Sequence, residues 1–243
     1  MRDTARGFYD AVSVPPFTAF FSPRDPLRYL NYAIPDEPAG GDLRATLERL
    51  RAEFRERERL PRLEYVEGFA PGLGAALERA GFELELRAPL MTCSAAAIAE
   101  LSAVPRLEIV PAGHDVRAYV TIGRRGFGSG DEPEATDEQV EAWRARRRPE
   151  GLSLLGLLDG EPVAVGAATP PLDGLSEVAG IAVLEHARGR GIGAAMTAAA
   201  AGAGVAHGAE LAFLSPGSDG AQSVYERVGF RPAETSLYYA DPE

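Results

Sequence analysis

The first clear pattern along the chain is a stripe of hydrophobic residues at helical spacing after Asp42. Its members are Leu43, Leu47, Leu50 and Phe54, and arginines and glutamates occupy most of the positions between them. Apolar residues that recur every three or four positions lie on one face of a helix, and Pro61 cannot continue one. The pattern therefore predicts an amphipathic helix that begins near Asp42 and ends before Pro61.

Shorter apolar and alternating runs surround this helix. We predict strands at residues 29–34, 62–66 and 82–87, and a helix at 73–80 that ends at Gly81, because glycine commonly terminates helices. The first part of the chain is thus predicted to run strand, helix, strand, helix, strand.

A stretch of small residues that contains Pro105 separates this part from the next. Such a stretch is typical of a connection between domains. We therefore predict a first domain at 1–98, a linker at 99–106 and a second domain at 107–243, which opens with a strand at 107–110.

The second domain continues with a helix whose start is marked in the sequence. Thr136-Asp-Glu-Gln139 matches the capping box, and the helix that it opens would end at Pro149. Asp159-Gly160 is a strong hairpin signal and joins two predicted strands, at 152–158 and 162–168.

A glycine-rich loop follows the next predicted strand, at 177–183. The loop is Arg188-Gly-Arg-Gly-Ile-Gly193, and it opens a helix at 193–206 made mostly of alanine and glycine. So many small side chains indicate that this helix packs closely on a sheet. The predicted elements that follow are a strand at 211–214, a helix at 221–228 and a strand at 230–239.

The two halves of the chain contain a weak internal repeat. Leu77-Glu-Arg-Ala-Gly-Phe82 corresponds to Tyr225-Glu-Arg-Val-Gly-Phe230, and each stretch ends a predicted helix and precedes a strand. The first copy has only Gly40-Gly41 in place of the glycine-rich loop, and Leu77 stands where the second copy has Tyr225. The first half therefore resembles a partial copy of the second.

Composition and charge narrow the kinds of partner. Hydrophobic residues make up 45% of the chain and charged residues 25%, which is typical of a globular protein with a sizeable core. The formal charge of -11 disfavours nucleic acid, since phosphate binding needs a basic surface. We therefore expect small-molecule partners.

The remaining sequence features concern metals, disulfides and location. Cys93 is the single cysteine, and the histidines His114, His186 and His207 lack metal-ligand spacing, so we expect neither an internal disulfide nor a metal. No signal-peptide pattern or long apolar run occurs, which favours a cytoplasmic protein without a membrane span.

The glycine-rich loop carries the strongest chemical signal. Glycines let the backbone approach an anion, and a helix start presents free N–H groups, to which Arg188 and Arg190 could add charge. A tight turn without a ligand is the alternative. The loop lacks the Gly-Lys-Ser/Thr ending of a Walker loop, and the strands before it fit a dinucleotide fold poorly.

Two spaced motifs together resemble a known family. Arg188-x-x-Gly191-x-Gly193, followed later by Tyr225-x-x-x-Gly229-Phe230, resembles the GNAT superfamily of N-acetyltransferases. The resemblance extends from about Leu107 to the end of the sequence. It implies an α/β protein with mixed sheets, and together with the internal repeat it indicates two GNAT-like units in tandem, of which the first is degenerate. It also implies acetyl-CoA as the acyl donor.

The resemblance implies which residues would hold acetyl-CoA. The CoA pyrophosphate would bind the backbone of the loop, and the pantetheine arm would pair with the preceding strand like an added strand. The loop residues are Arg188, Gly189, Arg190, Gly191, Ile192, Gly193 and Ala194, and the strand residues are Ile181, Ala182 and Val183.

The resemblance also implies two catalytic residues. Glu177 matches the glutamate that removes a proton from the amine, and Tyr225 matches the tyrosine that protonates the departing thiolate. The alternatives are an exposed glutamate at a strand edge and a tyrosine that only packs. Ser218 stands where many members have an asparagine that contacts the cofactor, so that contact is a weaker expectation.

The acceptor is the least specified part. In the family the first two helices line the acceptor pocket, which here means residues 124–143 with the acidic Asp131, Glu132 and Glu134. Carboxylates there would suit a cationic amine, although a solvated acidic loop is the alternative. We predict N-acetyl transfer to an amine of a small molecule or peptide by direct attack, without nucleic acid or membrane partners and in a homodimer. The competing hypotheses are a catalytically silent acyl-CoA-binding regulatory module and a nucleotide-binding α/β domain.

Overall fold

The computed structural model describes residues 9–23, 26–128, 131, 133–145 and 149–242. They divide into two compact units, one comprising residues up to Leu90 together with Pro232–Glu243, the other Met91–Arg231. The predicted domains, at 1–98 and 107–243, have different boundaries. The difference arises because the last strand of the chain belongs to the first unit.

The first unit contains a mixed sheet whose strands, in the order in which they lie side by side, are β1 (Asp10–Val14), β2 (Phe17–Phe21), β3 (Asn31–Pro35), β4 (Arg62–Val66), β11 (Arg231–Ala240) and the first part of β5 (Glu83–Ser94). Strands β3 and β4 are parallel, with Ala33 opposite Leu63. Strand β11 is antiparallel to β4 and pairs Tyr239 with Leu63.

Two helices supply the core of this unit, α1 (Arg44–Glu56) and α2 (Leu73–Arg79). Leu47, Leu50 and Phe54 are fully buried, which confirms the amphipathic stripe. They pack in one cluster with Leu63 and Tyr239 from the sheet. Alternate side chains of a strand point to opposite faces of the sheet. Because Leu63 faces the core, the side chain of the preceding residue, Arg62, lies on the other face of β4.

The second unit also has a mixed sheet. Its strands, in the order in which they lie side by side, are the end of β5, β10 (Leu211–Leu214), β9 (Leu175–Val183), β8 (Glu161–Ala168), β7 (Ser153–Leu158) and β6 (Leu107–Pro111). The pair β9 and β10 is parallel, whereas the other pairs are antiparallel. Its helices are α3 (Val116–Phe127), α4 (Asp137–Ala145), α5 (Ile192–Ala206) and α6 (Asp219–Val228).

The glycine- and alanine-rich α5 packs closely on this sheet, as predicted. A Cβ at Gly204 would lie 2.7 Å from the Ser176 hydroxyl oxygen of β9, and Met196 lies against Gly156 of β7. Helix α3 contacts β8 and β9, and its Ile122 packs with Val165 of β8. A Cβ at Gly126 would overlap that of Ala182, so α3 sits close to β9.

Local signals in the sequence are confirmed at several turns and caps. Asp159 and Gly160 both have positive φ, 55° and 84°, as the predicted hairpin requires. The Thr136 N–H donates to Gln139 Oε1 at 3.0 Å, and the Gln139 N–H donates to Thr136 Oγ1 at 3.3 Å, which completes the capping box.

Three elements were not predicted. Strand β2 is buried on both faces, so it lacks the alternation that identifies a half-buried strand, and β1 precedes it across Pro15-Pro16. Helix α3 contains Gly123 and Gly126, which lower helix propensity. The predicted strand at 29–34 begins later, at Asn31, because Arg28–Leu30 form a 3-10 turn.

Candidate active site

The glycine-rich loop forms the start of α5. Gly189 and Gly191 have φ of 76° and 83°, conformations that other residues rarely adopt, and Gly191 is the N-cap. Gly191 has no side chain that could cap the helix, and the first N–H groups of a helix have no intrahelical partner. The loop therefore presents donors and the positive end of the helix dipole to an anion.

The arginines of the loop are exposed beside these donors. The Arg188 Nε donates to the Val183 carbonyl oxygen at 3.0 Å, which ties the loop to the end of β9. Arg190 is also exposed. Both can add positive charge at the helix start.

Strand β9 has a bulge just before its end. Ala179 pairs with Ala167 and Ala182 pairs with Val165, so Gly180 and Ile181 together face the single residue Gly166. Gly180 has φ of 65°, and a Cβ there would meet no atom within 4 Å. A bulge re-aims the backbone of its strand, here next to the point where β9 separates from β10.

The parallel pairing of β9 with β10 is short. It covers Leu175 to Glu177, which face Leu211 to Phe213, and β10 ends at Leu214. Beyond Glu177, within the described residues, the backbone of β9 pairs with no strand on that side. This opening gives an extended ligand access to the edge of β9.

The side chains of the three predicted strand residues are used in packing. Ile181 and Val183 pack with the cluster that contains α5, and Ala182 packs with the cluster that contains Ile122 of α3. A ligand at this edge would therefore meet their backbone groups, and the backbone role predicted for them stays a prediction.

The loop, the end of β9 and α6 meet at Gly193. A Cβ at Gly193 would lie 3.8 Å from Val224 Cγ1 and 3.9 Å from Val183 Cγ2. Tyr225 follows Val224 on α6, the helix that contacts α5. A side chain larger than hydrogen at Gly193 would narrow the junction.

Tyr225 is partly buried on α6. Its ring lies 6.3 Å from that of Phe230, and it packs against the same core as Ile192. Burial raises the pKa of Tyr225 above the ordinary tyrosine value, because the phenolate would be poorly solvated. The side chain therefore holds its proton over a wide pH range.

Ser218 has a structural task that the sequence did not reveal. It is the N-cap of α6, and its Oγ accepts a hydrogen bond from the Ala221 N–H at 3.2 Å. Its hydroxyl hydrogen can still be donated, so the cap is compatible with a cofactor contact.

Glu177 lies at the other end of the opening, where the pairing with β10 stops. Its N–H donates to Thr169 Oγ1 at 2.9 Å. The flanking Ser176 and Val178 are buried toward α5, so the alternation of a strand turns Glu177 toward the face that carries α3. The structure thus brings the loop, Val183 and Val224 of α6 together and turns Glu177 toward the opposite face of the sheet.

Side chains of α3 hold the residues that lead into α4. The Thr121 hydroxyl accepts from the Ala135 N–H at 2.9 Å, and Arg117 donates to the Ala135 carbonyl oxygen and pairs with Asp137. Asp131 and Glu134 are exposed, whereas Glu132 lies outside the described residues. The acidic character predicted for the acceptor side remains a prediction.

Sequence reasoning missed three residues that shape the site. Gly126 allows the close approach of α3 to β9, Gly166 makes room for Ile181, and Val104 lies 3.5 Å from the Cβ position of Gly191. A glycine inside a predicted strand is a known signal for a close approach or a bulge, and Gly166 carried that signal. Val104 carried none.

Comparison with known proteins now adds an independent finding. The model of the acetyltransferase (GNAT) family matches residues 118–230, from α3 to the end of α6. The chain contains a GNAT domain. The match includes the loop, the bulge and Tyr225, and it excludes the whole of the first unit. Among curated proteins, none matches the sequence significantly.

Solved structures show the same fold over nearly the whole chain. A GCN5-related N-acetyltransferase from Kribbella flavida is 27% identical, with a TM-score of 0.77 and coverage of 100% of this chain and 93% of that one. A GCN5-related N-acetyltransferase from Sphaerobacter thermophilus is 16% identical, with a TM-score of 0.66 and coverage of 93% and 76%. A tandem GNAT protein from the clavulanic acid biosynthesis pathway is 15% identical, with a TM-score of 0.60 and coverage of 93% and 79%. The tandem arrangement around the GNAT domain is therefore a known architecture.

Two further observations bear on the predicted partners. No helix among the described residues is both long and apolar enough to span a bilayer. In the same part of the chain, no group of three His, Cys, Asp or Glu side chains is arranged to hold a metal ion.

Proposed function

We propose that the GNAT domain transfers an acetyl group from acetyl-CoA to an amine by direct attack. The observation that carries this proposal is the junction at Gly193, where the helix start, the end of β9 and the helix of Tyr225 converge. In this proposal the helix start is the anion cradle, the end of β9 is the extended edge and Tyr225 is the proton donor.

The residues present fit CoA. The first N–H groups of α5 and the exposed Arg188 and Arg190 suit a pyrophosphate, which carries negative charge. The open edge of β9 at Ile181–Val183 suits the amides of pantetheine, which can pair with it as an extra strand.

Bound acetyl-CoA would supply a thioester carbonyl to the attacking amine. Glu177, on the face that carries α3, is the group proposed to accept the amine proton, since only a neutral amine is nucleophilic. Tyr225, whose burial keeps it protonated, is the group proposed to donate to the departing thiolate. An acceptor bound on the α3 side would thus meet a donor held on the α5 side.

Among the described residues of the first unit, no glycine-rich loop at a helix start matches the one before α5. Asp42 stands just before α1, where its carboxylate accepts hydrogen bonds from the Arg44 N–H and guanidinium. These bonds lower the pKa of Asp42 to about 2, and its carboxylate forms an exposed ion pair with Arg44. We therefore propose one acyl-CoA site per chain, in the GNAT domain.

A substitution that adds both charge and volume at Gly193 tests the proposal. Gly193→Glu should abolish CoA binding, measured by calorimetry, because a carboxylate would enter the anion cradle. Gly202→Glu is the matched control on the same helix, since a Cβ there meets no atom within 4 Å. Equal affinity in both variants would refute the placement of the cradle.

Activity is tested by thiol release from acetyl-CoA with a panel of amines. Release with at least one amine supports the transferase, whereas tight binding without release for any acceptor would favour the regulatory module. A melting temperature raised by a nucleotide but not by CoA would favour the nucleotide-binding alternative. The homodimer and the cytoplasmic location stay predictions from the sequence.

A further inference from the structure

The segment that connects β5 to β6 lies against the walls of the proposed donor site. We call residues 97–104 the strap, and all of them belong to the second unit. The strap begins at the last residue of the 3-10 turn Ala95–Ala97 and leads, through Pro105 and Arg106, into β6. Its sequence pattern suggested only a linker.

One end of the strap is fixed to the end of α6. The Ala99 N–H donates to the Val228 carbonyl oxygen at 2.8 Å. Gly229 has φ of 114°, and a Cβ there would overlap the carbonyl oxygen of Ala97. The chain at this point therefore passes so close to α6 that only glycine fits.

The other end of the strap lies behind the glycine-rich loop. Ile98, Leu101 and Val104 pack against the core that contains Ile192, and Val104 Cγ2 lies 3.5 Å from the Cβ position of Gly191. Gly191 is the N-cap of α5, and its left-handed conformation orients the first N–H groups of the helix. Val104 is thus an apolar support for the residue on which the anion cradle depends.

We infer that Val104 is a positioning residue for the pyrophosphate-binding loop. Its side chain holds Gly191 in place, so the N–H donors of α5 are arranged before the ligand arrives. A preorganised loop loses less conformational entropy on binding, which raises affinity without a direct contact. The inference rests on the proposed function, because it needs CoA as the ligand of the loop.

The test compares two acetyl donors that differ in the pyrophosphate. Val104→Ala should raise the KM for acetyl-CoA and the Kd for CoA about tenfold, because a loosened loop must be ordered on binding. The kinetic constants for S-acetylpantetheine, which lacks pyrophosphate, should be unchanged within about twofold. Val104→Ile, which keeps the branched side chain, should have the same Kd for CoA as the wild type.

Leu101→Ala is the matched control, since Leu101 packs against the same core from the same strap. It should lower the melting temperature about as much as Val104→Ala while leaving the ratio of the two KM values unchanged. Equal loss for both donors in Val104→Ala would show a role in stability alone and would overturn the inference. Unchanged CoA affinity in Val104→Ala would overturn it too. If the wild-type protein binds no CoA, the proposed function itself fails.

Discussion

Tyr225 combines a packing role with a chemical one. Its ring packs beside Phe230 in the core. The helix that carries it, α6, faces the start of α5 through Val224. The same burial that makes the ring a good packing unit also keeps the phenol protonated. A side chain at such a position can serve as an acid at a pH where an exposed tyrosine would begin to ionise.

We predict that Tyr225→Phe lowers kcat by about two orders of magnitude, the usual contribution of a general acid, and changes the Kd for CoA less than about twofold. Because burial raises the pKa of Tyr225, the alkaline limb of the wild-type pH–rate profile should lie above the ordinary tyrosine value of about 10. That limb should vanish in the variant. An unchanged kcat in Tyr225→Phe would remove the residue from the mechanism.

Two glycines of α3 show how an element meets its neighbour. Gly126 is pressed against Ala182, whereas a Cβ at Gly123 would meet no atom within 4 Å. Both glycines cost helix propensity, but only Gly126 is required by packing. The approach of α3 to the bulged strand is therefore set by one residue without a side chain.

The two positions give opposite predictions for the same substitution. Gly123→Ala should raise the free energy of unfolding by about 0.5–1 kcal/mol, because alanine favours the helix. Gly126→Ala should lower it by about 1–2 kcal/mol, since the added methyl group overpacks the contact with Ala182. Urea denaturation measures both, and a stabilised Gly126→Ala variant would contradict the described contact.

Elements with local signals were predictable and elements built by tertiary contact were not. The stripe of Leu47, Leu50 and Phe54 and the turn at Asp159-Gly160 follow from nearby residues alone. Helix α3 tolerates two glycines because the sheet holds it, which no local rule reveals. Within the site, the glycine-rich loop was visible in the sequence, whereas the opening beside Glu177 depends on where a distant strand ends.

Within the first unit, Arg62 contacts several side chains on the sheet face opposite α1 and α2. Arg62 pairs with Glu64 and Glu85, and its side chain is only 4% exposed. Its guanidinium also lies over the rings of Tyr29 and Tyr238, at 5.2 and 5.3 Å. Burial raises the pKa of Glu64, and the charge of Arg62 opposes that rise.

We predict that Arg62→Met lowers the free energy of unfolding by about 3 kcal/mol, because it leaves a buried carboxylate without its partner. Arg87→Met is the control: Arg87 pairs with Glu67, but its side chain is 55% exposed, so the loss should stay below about 1 kcal/mol. The deficit of Arg62→Met should be smaller at about pH 5 than at about pH 8. A carboxyl group whose pKa is higher in the folded than in the unfolded state stabilises the fold at low pH. This contribution is lost as the pH rises through the folded-state pKa. A deficit that does not depend on pH would contradict a charged Glu64 as its cause.

The assignment of β11 to the first unit has a consequence for how the protein is made. Strand β4 lies between β3 and β11, and β11 follows every residue of the second unit in the sequence. During synthesis one edge of β4 therefore stays open until the entire second unit has been translated, and an open strand edge can pair with another chain. Of the two units, the one that is translated earlier is therefore the one whose sheet is completed later.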